Sequence, residues 1–207
     1  MSRLAGSARV DCLQEHLAAH LAAAHAMAAV LPAVDEVAQM LCSRFAAGGF
    51  VYGFGNGGSA ADAQHFTGEL IGHYKRSRRA LPAVTLSTDP TVMTCIANDY
   101  DYADVFARQI SALVRGGDVV VAFTTSGRSA NVVSGLQAAR SAGAITVLFG
   151  GNSGGPASVY ADHLLLAPAD ETPRVQEMHT LMLHMISDHV DAWAADDAPT
   201  GERGELG

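Results

Sequence analysis

Before residue 48 the apolar positions recur at helical intervals, first Leu13, Leu17 and Leu21, then Leu31, Val34, Val37 and Leu41. Residues three and four apart share a helix face, and Pro32 between the two sets cannot sit inside one continuous helix. Segment 1–47 therefore predicts two amphipathic helices, whose apolar stripe packs on the domain or on another subunit. From residue 48 the pattern changes to short apolar runs closed by small polar loops: Phe50–Phe54, Ala83–Leu86, Val119–Phe123, Ile145–Phe149 and His163–Leu166. Unbroken apolar runs of this length suit strands buried on both faces, as in a parallel sheet. Helix-length segments near 59–72, 89–115 and 129–142 lie between them, and a long helix over 173–193 follows the last strand. The order is α/β around a central sheet. Beyond Ala194, Ala, Asp, Gly, Pro and Glu dominate without periodicity, which predicts a disordered tail over 194–207 after an α/β domain over 48–193. No internal repeat is present.

Composition narrows the function classes. With 207 residues, 49% of them hydrophobic and 16% charged, the chain has enough apolar material for one full core. The Ala-rich stretch from Leu17 to Val34 is broken by His20, His25 and Pro32, and Asp11 and Glu15 precede it, unlike a membrane span or an export signal. A cytoplasmic protein without a membrane partner is expected. A formal charge of −8 leaves no broad basic face for nucleic acid. The one basic cluster, Lys75, Arg76, Arg78 and Arg79, reads as a solvated loop or as local attraction for an anionic substrate. Three cysteines, Cys12, Cys42 and Cys95, lie far apart, which argues against a disulfide framework or a cysteine zinc site.

Two loops carry the first chemistry. The first strand runs into Gly55, Asn56, Gly57, Gly58 and Ser59 and then a helix, so backbone N–H groups at a positive helix end can approach an anion. GNGGSA lacks the third glycine of a dinucleotide fingerprint and the GK[ST] ending of a nucleoside triphosphate loop. The third strand repeats the device with Thr124, Thr125, Ser126, Gly127, Arg128 and Ser129. Helix capping needs one of those hydroxyls, and oxyanion coordination accounts for the rest. Two polar pairs follow. His65 and Glu69 lie four apart on the helix after the first loop, and Gln176 and His184 lie eight apart on the last. Each pair keeps to one broad side of its helix, and the two suit a shared metal site, an acid/base site or both. Surface helical pairing is the plainer reading of His65 with Glu69.

With those residues in hand, the chain resembles the sugar isomerase (SIS) fold and, within it, the phosphoheptose isomerases that act on sedoheptulose 7-phosphate. The likeness covers about residues 35–193 and rests on four blocks in order, GNGGSAADAQHFTGEL, IANDYDYADVF, TTSGRSANV and RVQEMHTLMLH. It implies a five-stranded parallel sheet flanked by helices, assembled as a homotetramer. By position, Ser59, Thr124, Thr125, Ser126 and Ser129 resemble the family's phosphate cradle, and Asn56, Gly57, Gly58, Asn98 and Asp99 its sugar contacts. His65, Glu69, Gln176 and His184 are similar to its zinc-binding set, with one zinc per subunit, and Glu69 and His184 also resemble its acid/base pair. One departure stands out. Where many members have Arg before an aromatic residue, this chain has His73 before Tyr74, and if the helix persists past Gly72 His73 approaches the same site.

The resemblance implies ketose–aldose isomerisation through an enediol, giving a D-glycero-D-heptose 7-phosphate. Glu69 would take and return the carbon-bound proton, His184 would exchange protons with the C1 and C2 oxygens, and zinc would be the polarising cation. The competing reading is a non-catalytic SIS protein that binds phosphosugars or associates with the replication initiator. Those proteins share the glycine loop but lack the counterparts of Glu69 and His184, both present here.

Overall fold

The computed structural model describes residues 3–196, with side chains from Val10 onward. Helix α1 (Arg3–Ala26) and helix α2 (Leu31–Ala46) are the two predicted N-terminal helices, with Pro32 in the first turn of α2, where a missing N–H costs nothing. Five strands follow, β1 (Val51–Gly55), β2 (Ala83–Thr85), β3 (Val119–Phe123), β4 (Ile145–Gly150) and β5 (His163–Leu166). They form one sheet in the order β2-β1-β3-β4-β5, every neighbouring pair parallel.

Alternation along the strands divides the interior in two. Val119, Val121 and Phe123 of β3 face one core, and Val120 and Ala122 face the other, as the period of two requires. The first core lies under α2, helix α3 (Gly58–Ile71) and helix α7 (Thr172–Asp196). The second lies under helix α5 (Ala107–Leu113) and helix α6 (Ala130–Ser141). Val34, Val37 and Leu41 of α2 are buried in the first core, whereas Leu13, Leu17 and Leu21 of α1 are 68%, 58% and 48% exposed. The α1 stripe is therefore not spent on this domain.

The segment expected as one helix over 89–115 is divided. Helix α4 (Pro90–Asp99) starts on the Asp89 carboxylate, which accepts from the Thr91 and Val92 N–H groups. A 3-10 turn at Tyr102–Asp104 follows, begun by Asp101 accepting from the Ala103 N–H, and α5 comes after it. Two local carboxylate caps thus override the helical periodicity. Helix α7 runs three residues past the expected boundary at 193, with Ala194 buried in the core. The remainder of the predicted tail, 197–207, lies outside the described residues. No single helix among them is long and apolar enough to cross a membrane.

Candidate active site

The strand order reverses between β1 and β3, and both phosphate-type loops leave the carboxyl ends of these two strands. Open α/β sheets bind ligands at such a switch point. A cavity of about 270 Å³ opens there, lined by Asn56, Gly58, Ser59, Thr124, Thr125, Ser126, Ser129 and Gln176, with Phe123 and Thr172. Thr124 Oγ1 accepts from the Gly127 N–H at 3.1 Å and Ser126 Oγ from the Arg128 N–H at 3.3 Å, which leaves each hydroxyl proton free to donate into the cavity. Ser129 occupies the N-cap position of α6 yet makes no side-chain cap bond. Capping therefore does not account for its hydroxyl. Gly127 has φ +63°, and a Cβ there would lie 1.9 Å from the Gly154 carbonyl oxygen, so only glycine permits the turn.

Helices α3 and α7 run side by side in the same direction, and four polar contacts succeed one another along them. At the first, Gly58 lets Gln176 approach so closely that a Cβ at Gly58 would stand 2.4 Å from Gln176 Nε2. At the second, the interior groups Asp62 Oδ2 and His179 Nδ1 face each other at 4.0 Å, neither with a hydrogen-bond partner. His179 Nε2 lies 3.1 Å from the Gly150 carbonyl, which can only accept, so the ring proton is on Nε2 and Nδ1 presents a lone pair. Burial pushes Asp62 up to about 6, with His65 and a hydrogen bond to Thr180 opposing, and pushes His179 down to about 4, with the Gly150 bond opposing.

At the third contact His65 and Glu69 of α3 meet His184 of α7. His65 Nε2 stands 3.1 Å from Glu69 Oε1 and 3.3 Å from His184 Nε2, and donor atoms of the three residues lie within 4.8 Å of one another. The His184 ring stacks on Tyr74, centroids 5.3 Å apart and planes at 23°. Burial lowers the His184 pKa, as do His65 and Lys75, while Glu69 opposes. His65 Nε2 can carry one proton at most, so it cannot serve as acceptor and donor to both neighbours at once; with Nε2 deprotonated, three lone pairs converge on one point. Two imidazoles and a carboxylate in that arrangement fit a zinc-like cation.

The fourth contact closes the row. Arg78 and Asp191, with side chains 1% and 0% exposed, pair at 2.8 Å between the end of α3 and α7. Burial opposes ionisation of Asp191, but the Lys75, Arg76 and Tyr74 N–H groups and Arg78 outweigh it and hold the carboxyl below its ordinary value. Lys75 and Arg76 pair with Asp188. The basic cluster is therefore anchored on α7.

Other expected residues stand elsewhere. Gln176 lines the cavity at Gly58, eight residues before His184 on α7. Gly57 is the N-cap of α3 at φ 56°. Asn98 and Asp99 end α4, exposed and outside the cavity lining, with Asn98 Nδ2 donating to Asp99 Oδ1 at 2.7 Å. Helix α3 stops at Ile71, so the condition for His73 reaching the site is not met, and His73 lies exposed outside the cluster. Sequence reasoning missed Asn131, buried on α6, which exchanges two amide hydrogen bonds with Asn56 at 2.8 and 2.9 Å. Tyr102 adds a third bond to Asn56 at 3.1 Å. An asparagine two residues past the hydroxyl loop was the available signal.

A parallel five-stranded sheet with two polar loops at its switch point is an open α/β ligand-binding architecture, and the family model for the SIS domain matches residues 15–151. The phosphoheptose isomerase of Paramagnetospirillum magneticum is 46% identical over 168 residues, 81% of this chain and 88% of the relative. Among solved structures, the phosphoheptose isomerase from Francisella tularensis superimposes with a TM-score of 0.86 at 32% identity, covering 89% of this chain and 98% of that one. That from Neisseria gonorrhoeae gives 0.78 at 37% identity, covering 87% and 99%. The chain belongs to the SIS-domain family of phosphoheptose isomerases.

Proposed function

We propose that the protein is an aldose–ketose isomerase that converts sedoheptulose 7-phosphate to a D-glycero-D-heptose 7-phosphate. The observation that carries this reading is the convergence of Glu69 and His184, from helices far apart in sequence, beyond a hydroxyl-lined anion cavity. Ser59, Thr124, Thr125, Ser126 and Ser129 hold the phosphate, assisted by backbone N–H groups at the start of α3. Asn56, fixed by Asn131 and Tyr102, contacts the sugar, with Gly57, Gly58 and Gln176 shaping the wall. Asn98 and Asp99 belong to the same proposal as sugar contacts from the α4 end. His65 stands six residues beyond Ser59 on α3, about 9 Å of helix rise, so a substrate tethered by its phosphate directs its carbonyl end toward the cluster.

There Glu69 removes a proton from C1 of the ketose and returns it to C2, while His184 carries a proton from the C1 oxygen to the C2 oxygen. Atoms and electrons balance without a redox partner. His65, Glu69 and His184 hold a zinc ion in this reading, Gln176 being the fourth member of the expected set. When bound, the cation supplies Lewis-acid polarisation of the substrate oxygens. A homotetramer in the cytoplasm belongs to the same proposal, and the exposed Leu13, Leu17 and Leu21 stripe supports burial against other copies of the chain.

The initiator-associating alternative lacks support, since both acid/base positions are filled. Incubation of sedoheptulose 7-phosphate with the purified chain, followed by NMR of the product, tests the proposal, run with and without a chelator and beside a pull-down for the initiator protein. Formation of an aldoheptose phosphate is expected. Its absence from a folded, zinc-supplied preparation, with the initiator captured instead, sinks the isomerase reading.

A further inference from the structure

Arg78 donates to both helices that carry the acid/base cluster. Its Nε donates to Asp191 Oδ1 at 2.8 Å and its Nη2 to the Glu69 carbonyl at 2.6 Å. Nη1 is shared among the carbonyls of Leu70, Gly72 and Arg79 at 2.9, 3.1 and 2.8 Å. Because α3 stops at Ile71, the Glu69 and Leu70 carbonyls belong to its last turn, which has no partner within the helix. A guanidinium there completes them and opposes the negative end of the helix dipole. Asp191 is engaged as fully. Besides Arg78 it accepts from the backbone N–H groups of Tyr74, Lys75 and Arg76 at 3.3, 2.9 and 2.5 Å. That turn presents the Tyr74 ring to His184, and Lys75 Nζ lies 4.8 Å from the centre of the same ring.

We propose that the buried Arg78–Asp191 pair is the positioning element of the acid/base cluster, locking the end of α3 that carries His65 and Glu69, and the turn that carries Tyr74, onto the stretch of α7 that carries His184. Side chains 1% and 0% exposed cannot touch substrate, so the pair acts only through its neighbours. Stability alone does not account for it, since a buried ion pair often gains nothing over apolar residues of the same volume. Lysine cannot replace the arginine, because one ammonium group cannot serve a carboxylate and carbonyls on several sides in a fixed fork. The anion cavity lies at the opposite end of the paired helices and is independent of this lock.

This inference deepens the isomerase reading and rests on it for its kinetic arm only. The full-length parent, Arg78→Lys and Asp191→Asn are compared for cobalt(II) affinity, by competition with a chromophoric chelator, and for kcat and KM on sedoheptulose 7-phosphate. Groups that orient ligands from behind typically change metal affinity or activity by about 10–100-fold, so both variants are expected to bind cobalt and to turn over at least tenfold worse, with KM within about threefold. Val190→Ala, a core truncation beside Asp191 that leaves the pair intact, is expected to lose stability while keeping the parent's cobalt affinity and kcat. Folded pair variants with parental cobalt affinity overturn the proposal, as does Val190→Ala losing as much as they do. Where neither pair variant folds, Arg78→Gln and Asp191→Glu take their place: cobalt affinity lowered at least tenfold supports the lock, and parental affinity overturns it. A parent that binds cobalt but leaves the heptose untouched defeats the isomerase reading, and the cobalt comparison still decides the role of the pair.

Discussion

His184 Nε2 lies 3.3 Å from His65 Nε2, although 119 positions of sequence separate them. Two imidazole nitrogens that close cannot both be protonated without strong repulsion, and as free bases they direct lone pairs at one point beside Glu69. The His184 pKa is lowered by burial, and by His65 and Lys75 against the opposing Glu69, so protons compete for this ring at lower pH than for an ordinary imidazole. The proton competition at His184 is expected to set in at lower pH than at an ordinary imidazole, as followed by calorimetric zinc titration from about pH 8 to 5 on the parent and on His65→Ala, in which His184 is the remaining imidazole. His65→Ala and His184→Ala should each weaken zinc binding by more than the about 10–100-fold that a group behind the ligands costs. Parental affinity in either variant removes that residue from the cation site.

Glu69 has its carboxylate 3.1 Å from His65 and its backbone carbonyl held by Arg78. Glu69→Gln preserves size and hydrogen bonding but removes the basic oxygen. General-base removal typically costs about 10²–10⁴-fold, and kcat is expected to fall by that factor while KM stays close to the parent's, because the anion cavity is untouched. Steady-state kinetics at saturating zinc makes the comparison. An undiminished kcat would end the assignment.

Ser129 gives a sharper test of the cavity. A capping serine replaced by alanine usually costs about 1 kcal/mol of stability, but Ser129 forms no cap bond. Ser129→Ala should therefore leave urea unfolding unchanged. A lost hydrogen bond to a charged group is worth about 1.5–3 kcal/mol, so KM for the sugar phosphate is expected to rise roughly 10–100-fold. A drop in stability with KM unmoved would make this hydroxyl structural.

Long-range order in this molecule was legible in the sequence wherever one local pattern decides it. The strand runs from Val119 and Ile145 are unbroken because both sheet faces are covered, and the glycine and hydroxyl loops sit at strand ends where the fold places ligands. The His65–Glu69 spacing gave one half of the cluster, and the resemblance supplied the other. Hidden from view were relationships that only tertiary packing creates. Arg78 read as one of four surface cations, and nothing in its spacing points to Asp191, 113 positions later. Periodicity could not foresee that Asp89 and Asp101 would cap two separate turns inside one helical pattern. Nor could it show that Leu13, Leu17 and Leu21 face away from the domain, since an amphipathic stripe states what must be covered and not by what.

Gly58 separates stability from activity. A Cβ there would stand 2.4 Å from Gln176 Nε2, the far end of a flexible side chain that can swing aside at little cost to the fold. Alanine also loses less backbone freedom than glycine on entering a helix, a difference of about 0.5–1 kcal/mol. Gly58→Ala is expected to keep or raise the melting temperature and to lower kcat/KM through displacement of the Gln176 amide from the cavity wall. Calorimetry and kinetics on one preparation check both halves; a destabilised variant of full activity contradicts the placement.

The Asp62–His179 contact predicts an unusual pH profile. For His179, ordinary value 6.5 and folded value about 4, the unfolded chain takes up a proton that the folded ring refuses. Its contribution to stability is complete above pH 6.5 and is lost toward pH 4, by roughly 3 kcal/mol. Asp62 moves oppositely, from 3.8 to about 6, so its contribution is complete below pH 3.8 and is lost as pH rises through 6, by a similar amount. Near pH 5 the folded pair carries one proton, on the carboxyl, and the unfolded chain also carries one, on the imidazole. Equal proton counts leave the pair's share of the unfolding free energy flat. Asp62→Asn removes one side of that balance. Relative to the parent, the variant's stability is expected to fall by roughly 2–3 kcal/mol between pH 6.5 and pH 4, measured by urea unfolding at several pH values. Parallel profiles for the two proteins would show that Asp62 ionises at its ordinary value.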